Sequence, residues 1–158
     1  MKTLVHATAF TLAAVAFVSA DYASARPDAG RVIYNIQSST EFPKNSARVV
    51  RHTFRLHVPQ ESKALSHLSI DVPSGLTVSD NISVSDQSGR EIDTNVSLNG
   101  SQVIIAFTQP IDPGTRLRID MHNIRRTGVS NAWLYPVSAR FVGSNVHIPI
   151  GTARFHNH

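Results

Sequence analysis

From Thr53 onward apolar and polar residues alternate in short runs: Phe54, Leu56 and Val58 are separated by Arg55 and His57, then Leu68, Ile70 and Val72 by Ser69 and Asp71. A period of two belongs to a β-strand with one buried face. It returns in Leu117, Ile119 and Met121, set against Arg116, Arg118 and Asp120, then in Tyr135, Val137, Ala139 and Phe141, and again in Val146, Ile148 and Ile150. Leu76-Thr77-Val78 and Ile82-Ser83-Val84 add two short strands, and Val96 and Leu98 lead into another. Val103, Ile105 and Phe107 have Ile104 and Ala106 between them, so that strand reads as apolar on both faces.

Turn chemistry separates nearly every pair of runs. Pro73-Ser74-Gly75 and Gly143-Ser144-Asn145 are turns by composition. Asn99-Gly100 predicts a hairpin with both residues at its centre. The sharpest corner is residues 107–115, where Pro110 ends the preceding strand and Pro113-Gly114 suits the centre of a type II turn. Residues 61–68 hold helix formers but span only about two turns, which predicts a helical turn at most. The stretch 123–131, with Arg125, Arg126 and Gly128, reads as a loop. About nine short strands without a helical period predict an antiparallel β-sandwich, Ig-like, with a small β-barrel as the alternative. Its predicted core is Phe54, Leu56, Val58, Leu68, Ile70, Val72, Val103, Ile105, Phe107, Leu117, Ile119, Met121, Tyr135, Val137, Phe141, Ile148 and Phe155.

The first 25 residues follow another logic. Lys2, an apolar run from Leu4 to Val18 and the small residues Ala23-Ser24-Ala25 make a secretory signal peptide, with cleavage after Ala25 and Ala20 as the second possibility. The run is shorter than the ~20 apolar residues that span a bilayer, and no other stretch approaches that length. The chain therefore divides into residues 1–25, a partly ordered segment 26–52, and a sandwich domain 53–156. In the middle segment Val32-Ile33-Tyr34-Asn35-Ile36 is a possible first strand; Ser38-Ser39-Thr40 and Phe42-Pro43-Lys44-Asn45 read as loop. An exported destination, periplasmic or extracellular, follows. With no cysteine, neither a lipid anchor nor a disulfide framework is available.

Several of these stretches together carry a family resemblance: residues 107–115, Asn123 with Arg125, Tyr135-Pro136-Val137-Ser138-Ala139, Gly143, and Ile150-Gly151-Thr152-Ala153-Arg154-Phe155. In them the chain resembles a family of small exported cyanobacterial proteins known only as a domain of unknown function. The resemblance implies an exported β-rich domain of the periplasm or cell surface, and it brings no catalytic residues. The chain departs from the family pattern at Ile124-Arg125-Arg126 and Ala132-Trp133-Leu134.

Candidate chemistry is sparse. The formal net charge is +4, and twelve of the 15 cationic residues are Arg, whose planar fork suits carboxylates, phosphates and sulfates. Arg116 and Arg118 on one strand, Arg125 and Arg126 just after it, and Trp133 form the candidate surface for an anion or partner: an envelope polyanion, an acidic polysaccharide or an acidic protein. Nucleic acid is not expected, since the charge is small and no recognition motif appears. Outward-facing His57 and His122, and His156-Asn157-His158 at the end, raise metal binding, but their spacings match no zinc signature. Asp86-Gln87-Ser88-Gly89-Arg90-Glu91 is a faint likeness of a calcium loop and reads better as a hairpin turn. Neither G-x-S-x-G nor a phosphate-binding glycine loop is present, and no cofactor is implied. The sequence thus predicts a non-catalytic binding or structural module of the cell envelope. The alternatives are an extracytoplasmic enzyme with a dispersed site and a His-based metal-binding protein.

Overall fold

A computed structural model describes residues 34–41 and 49–156. The expected signal peptide and both expected cleavage points lie outside the described residues, as do Val32, Ile33, residues 42–45 and the last two residues. Ten strands are formed, β1 (Asn35–Glu41), β2 (Val49–His57), β3 (Leu65–Asp71), β4 (Leu76–Thr77), β5 (Ile82–Ser85), β6 (Thr94–Asn99), β7 (Gln102–Ile111), β8 (Arg116–Arg126), β9 (Ala132–Phe141) and β10 (Ile148–His156), with no helix among the described residues. The first sheet has the order β1-β2-β8-β4, with β5 also pairing β8; the second runs β10-β9-β3-β7-β6. All pairings are antiparallel. The chain is an all-β, Ig-like sandwich of two sheets.

The two-residue alternation read from the sequence places the core between the sheets. Phe54, Leu56, Leu117, Ile119 and Met121 of the first sheet are buried with Leu68, Ile70, Val103, Ile105, Tyr135 and Val137 of the second. Each such side chain contributes roughly 1.5–3 kcal/mol by leaving water. Within this core four rings pack together: His52 stacks on Phe155 at 4.2 Å, while Tyr135 meets both Phe54 and Phe155 edge-on at 5.2 Å. Edge-on and offset pairs add to the gain from burial alone.

Several local expectations are corrected. Ser38-Ser39-Thr40 is not a loop but part of β1, registered against Phe54, Thr53 and His52, so the first sheet begins at Asn35. No helical turn follows Glu61: a tight turn closes from Ser62 N–H to the Pro59 carbonyl at 3.1 Å, and β3 begins at Leu65. Ile148 is 46% exposed although it opposes buried Ala139: it opens β10, an outer strand of the second sheet, ahead of the register shift at Pro149/Gly151, and Ile150 is buried instead. Asn99 pairs with Gln102, so the β6–β7 turn is centred on Gly100 and Ser101, and a φ of 59° at Gly100 alone makes it type II′.

The corner at residues 107–115 divides in two. Pro110 does not end β7: the pairing with β3 jumps from Ala106↔His67 to Ile111↔Leu65, so the bulged strand asks no ladder hydrogen bond of the proline. The turn itself is Asp112-Pro113-Gly114-Thr115, closed from Thr115 N–H to the Asp112 carbonyl at 3.3 Å with Gly114 at φ 86°, as a type II turn requires. Val58 anchors it, accepting from Gly114 N–H at 2.7 Å and donating to the Thr115 carbonyl at 2.9 Å.

Candidate anion-binding face

The outward positions of the first sheet form rows across its strands. Asn35 opposes His57, which opposes Arg116; Gln37 opposes Arg55, which opposes Arg118, which opposes Ser85. The next row is Ser39, Thr53, Asp120 and Ser83. Directly opposed residues bring their Cβ atoms to about 4.5–5.5 Å, and outward residues two apart on one strand lie about 6.7 Å apart. Arg55, His57, Arg116 and Arg118 are therefore the corners of one small grid. Over it lies a groove of about 570 Å³, bordered by Asn35 and Gln37 on one side and by Asp86 and Gln87 on the other.

Only part of this charge is answered within the protein. Arg118 Nε donates to Asp120 Oδ2 at 2.8 Å, and the Thr53 hydroxyl donates to the other carboxylate oxygen. Burial pushes the Asp120 carboxyl up, but these bonds and the Arg118 charge outweigh it and hold the group below its ordinary value. Arg55 reaches Ser39 Oγ only at 3.4 Å, a weak contact. Among the described residues the side chains of Arg116, His57, Asn35 and Gln37 have no hydrogen-bond or ion-pair partner. Asp86, the carboxylate at the groove's edge, is engaged: Oδ1 accepts from Ser88 N–H at 2.8 Å and Arg90 N–H at 3.1 Å, and Oδ2 lies 3.0 Å from Arg90 Nη2. The loop closes as a hairpin turn, with Asp86 N–H donating to the Arg90 carbonyl at 3.0 Å and Ser85 bridged to Glu91. The Ser88 hydroxyl is the main cause holding the Asp86 carboxyl low.

The structure divides the five residues singled out in the sequence. Arg116 and Arg118 share the grid. Arg125 faces the same side but lies seven positions further along β8, roughly 23 Å away, beside Val49 and Thr77. It is in β8 and not in a loop, because Asn123 takes a left-handed conformation (φ 56°) at a bulge and the strand resumes with Ile124 fully buried. Arg126 then falls on the parity of Ile124, toward the interior, where its charge bears on His52. Trp133 is 5% exposed and covers the close approach of Gly75 and Gly128; a Cβ on Gly75 would stand 3.1 Å from its ring. It is a core residue and presents no contact surface. Arg55 and His57, which the sequence pattern placed outward, were not joined to Arg116 and Arg118 because only the β2–β8 pairing does so.

The two histidines raised for metal binding do not meet: His57 opposes Arg116, whereas His122, six residues further along β8, contacts Ser83 Oγ at 3.1 Å. Among the described residues no group of three or more His, Asp or Glu is placed to hold a metal ion. Nor does any helix among them have the length and apolarity to cross a membrane.

No curated protein matches the sequence. In solved structures the fold is similar to the N-terminal domain of the Streptococcus gordonii adhesin Sgo0707, at 12% identity and a TM-score of 0.56 over 78% of this chain and 32% of that one. It is likewise similar to BcpA, the major pilin subunit of Bacillus cereus, at 14% identity and a TM-score of 0.52 over 77% of this chain and 38% of that one. At such identities the likeness is one of fold, and the chain spans less than two fifths of either protein's length. The sequence itself matches one family over residues 34–156, nearly the whole described fold: the chain belongs to DUF2808, a family of proteins of unknown function.

Proposed function

We propose that the protein is an exported, non-catalytic binding module of the cell envelope that holds an anionic partner against the outer face of its first sheet. Export rests on the leader-like residues 1–25. The likeness to an adhesin domain and a pilin subunit supports a surface role for the fold. One observation carries the anionic partner: Arg55 directly opposes Arg118, with Arg116 beside them opposite His57, and among the described residues a single carboxylate, Asp120, is bonded to any of the four. Opposed like charges on a ladder cost stability, and an anion on the groove relieves that cost.

Retention of the exported protein on its own envelope fraction tests the proposal. Wild type is retained at low salt and released near 1 M salt, where charges are screened beyond about 3 Å; the triple variant Arg55→Gln/Arg116→Gln/Arg118→Gln is not retained. Equal retention of the triple variant would overturn the proposal.

A further inference from the structure

Beyond charge, the groove has a second kind of group. Asn35 and Gln37 of β1 stand in the same rows as His57 and Arg55, with carboxamides unengaged by the described residues. On the opposite border Gln87 accepts from Arg116 N–H through Oε1 at 3.0 Å, which leaves both amide hydrogens of its side chain as donors. Cationic forks therefore lie between two lines of neutral groups, and carboxamides that both donate and accept match hydroxyls. The apolar residues under the groove, Leu56 and Leu117, are buried core. The one ring in the lining is the His57 imidazole, and no Phe, Tyr or Trp stands there for a nucleic-acid base to stack on. It also has no apolar pocket for the anchor side chain that dominates binding of a peptide. The volume, about 570 Å³, falls within the range of clefts that take small ligands or a few units of a polymer.

From these features we infer that the groove is a subsite for an acidic polysaccharide: Arg55, Arg116 and Arg118 take the carboxylate or sulfate of one sugar, and Asn35, Gln37 and Gln87 take hydroxyls of that sugar and its neighbours. This rests on the anionic-partner proposal and adds the chemistry of the partner. Affinity is measured on the full exported chain against polygalacturonate, poly-glutamate of matched charge and length, and long-chain polyphosphate. Polygalacturonate binds at least about tenfold more tightly than the other two. Arg116→Gln weakens binding of polygalacturonate about tenfold, the loss of one charge-assisted contact. Gln37→Ala and Asn35→Ala each weaken polygalacturonate a few-fold and leave poly-glutamate unchanged. These two positions lie on the exposed face of an outer strand, where truncation leaves the core intact. If all three polymers bind equally and the amide variants change nothing, the surface senses charge alone and the sugar subsite is wrong. Tighter binding of polyphosphate, or of poly-glutamate, overturns it in favour of that partner. If none of the three binds, the anionic-partner proposal itself falls.

Discussion

The two faces of β2 solve opposite problems. Inward, His52 is 1% exposed and packed by protein: stacked on Phe155, edge-on to Tyr135, with Nδ1 and the Tyr135 hydroxyl sharing a hydrogen bond of 2.7 Å. Outward, Arg55 and His57 face Arg118 and Arg116, and among the described residues one carboxylate, Asp120, is bonded to this group. The bond between His52 and Tyr135 matters because an unpaired buried group costs about 1–3 kcal/mol. Polar groups outside remain solvated and free to exchange water for a ligand. On the proposed function, one strand therefore separates stability from recognition by the parity of its residues.

The sharpest break of that separation is on the inner face. Phe54 touches Tyr135 and Phe155 from across the sandwich, so Phe54→Ala removes a ring joining both sheets and costs about 3–5 kcal/mol in urea unfolding. A loss below about 1 kcal/mol would show that the ring cluster is not the centre of the fold.

His52 is next in size. Burial, and then the Arg126 charge, lower its pKa from 6.5 to about 4. The folded state thus holds the imidazole neutral where the unfolded chain binds a proton, so stability is fully present above about pH 6.5 and falls as pH drops toward 4. The total loss is about 3 kcal/mol by that point. Depressed carboxylates such as Asp120 lose their contribution lower, as pH falls below their unfolded value of 3.8, which leaves the histidine window readable. His52→Phe flattens the slope between pH 6.5 and 4. At pH 7 it is less stable by about 1–2 kcal/mol, because the Tyr135 hydroxyl loses its partner. An unchanged slope in the variant would assign the acid sensitivity to another group.

These residues also mark how far the sequence was legible. Alternation is a property of single strands, so it sorted Phe54, Leu117, Ile119 and Tyr135 inward and Arg55, Arg116 and Arg118 outward. It said nothing of which strands adjoin. The grid is assembled by pairing β2 with β8, some sixty residues apart, and no local pattern encodes that. Asn123 misled for a local reason, since an Asn that ends a run and an Asn that adopts a left-handed bulge inside a strand look alike until Ile124 is seen to be buried. Trp133 follows a cationic stretch, a place in sequence that suggests a contact residue; it is instead the lid on two glycines that only the fold brings together.

A smaller effect is expected at the corner. Gly114 needs φ 86°, and a Cβ there would fall 2.0 Å from Gln60 Nε2, the movable end of an exposed side chain. Gln60 can step aside, so the backbone conformation sets the penalty: Gly114→Ala costs about 1–2 kcal/mol. Gln60→Ala in the same background recovers little of it if that division is right, and most of it if the clash dominates.

The smallest effect is the most discriminating between the two faces. Arg55→Gln keeps a side chain able to bond Ser39 and removes one of two opposed positive charges. Cross-strand pairs of this kind are worth roughly 0.2–1 kcal/mol, so the variant is equal to wild type or more stable by about 0.5 kcal/mol at low salt. The difference vanishes near 1 M salt, where screening removes the repulsion. Asp120→Asn is the counterpart, because Asp120 bonds both Arg118 and buried Thr53; its loss destabilises by about 1–2 kcal/mol. If Arg55→Gln instead costs as much as Asp120→Asn, the arginine belongs to the structural network of the sheet. If it costs nothing and abolishes retention on the envelope fraction, the charge stands at that position for a partner and not for the fold.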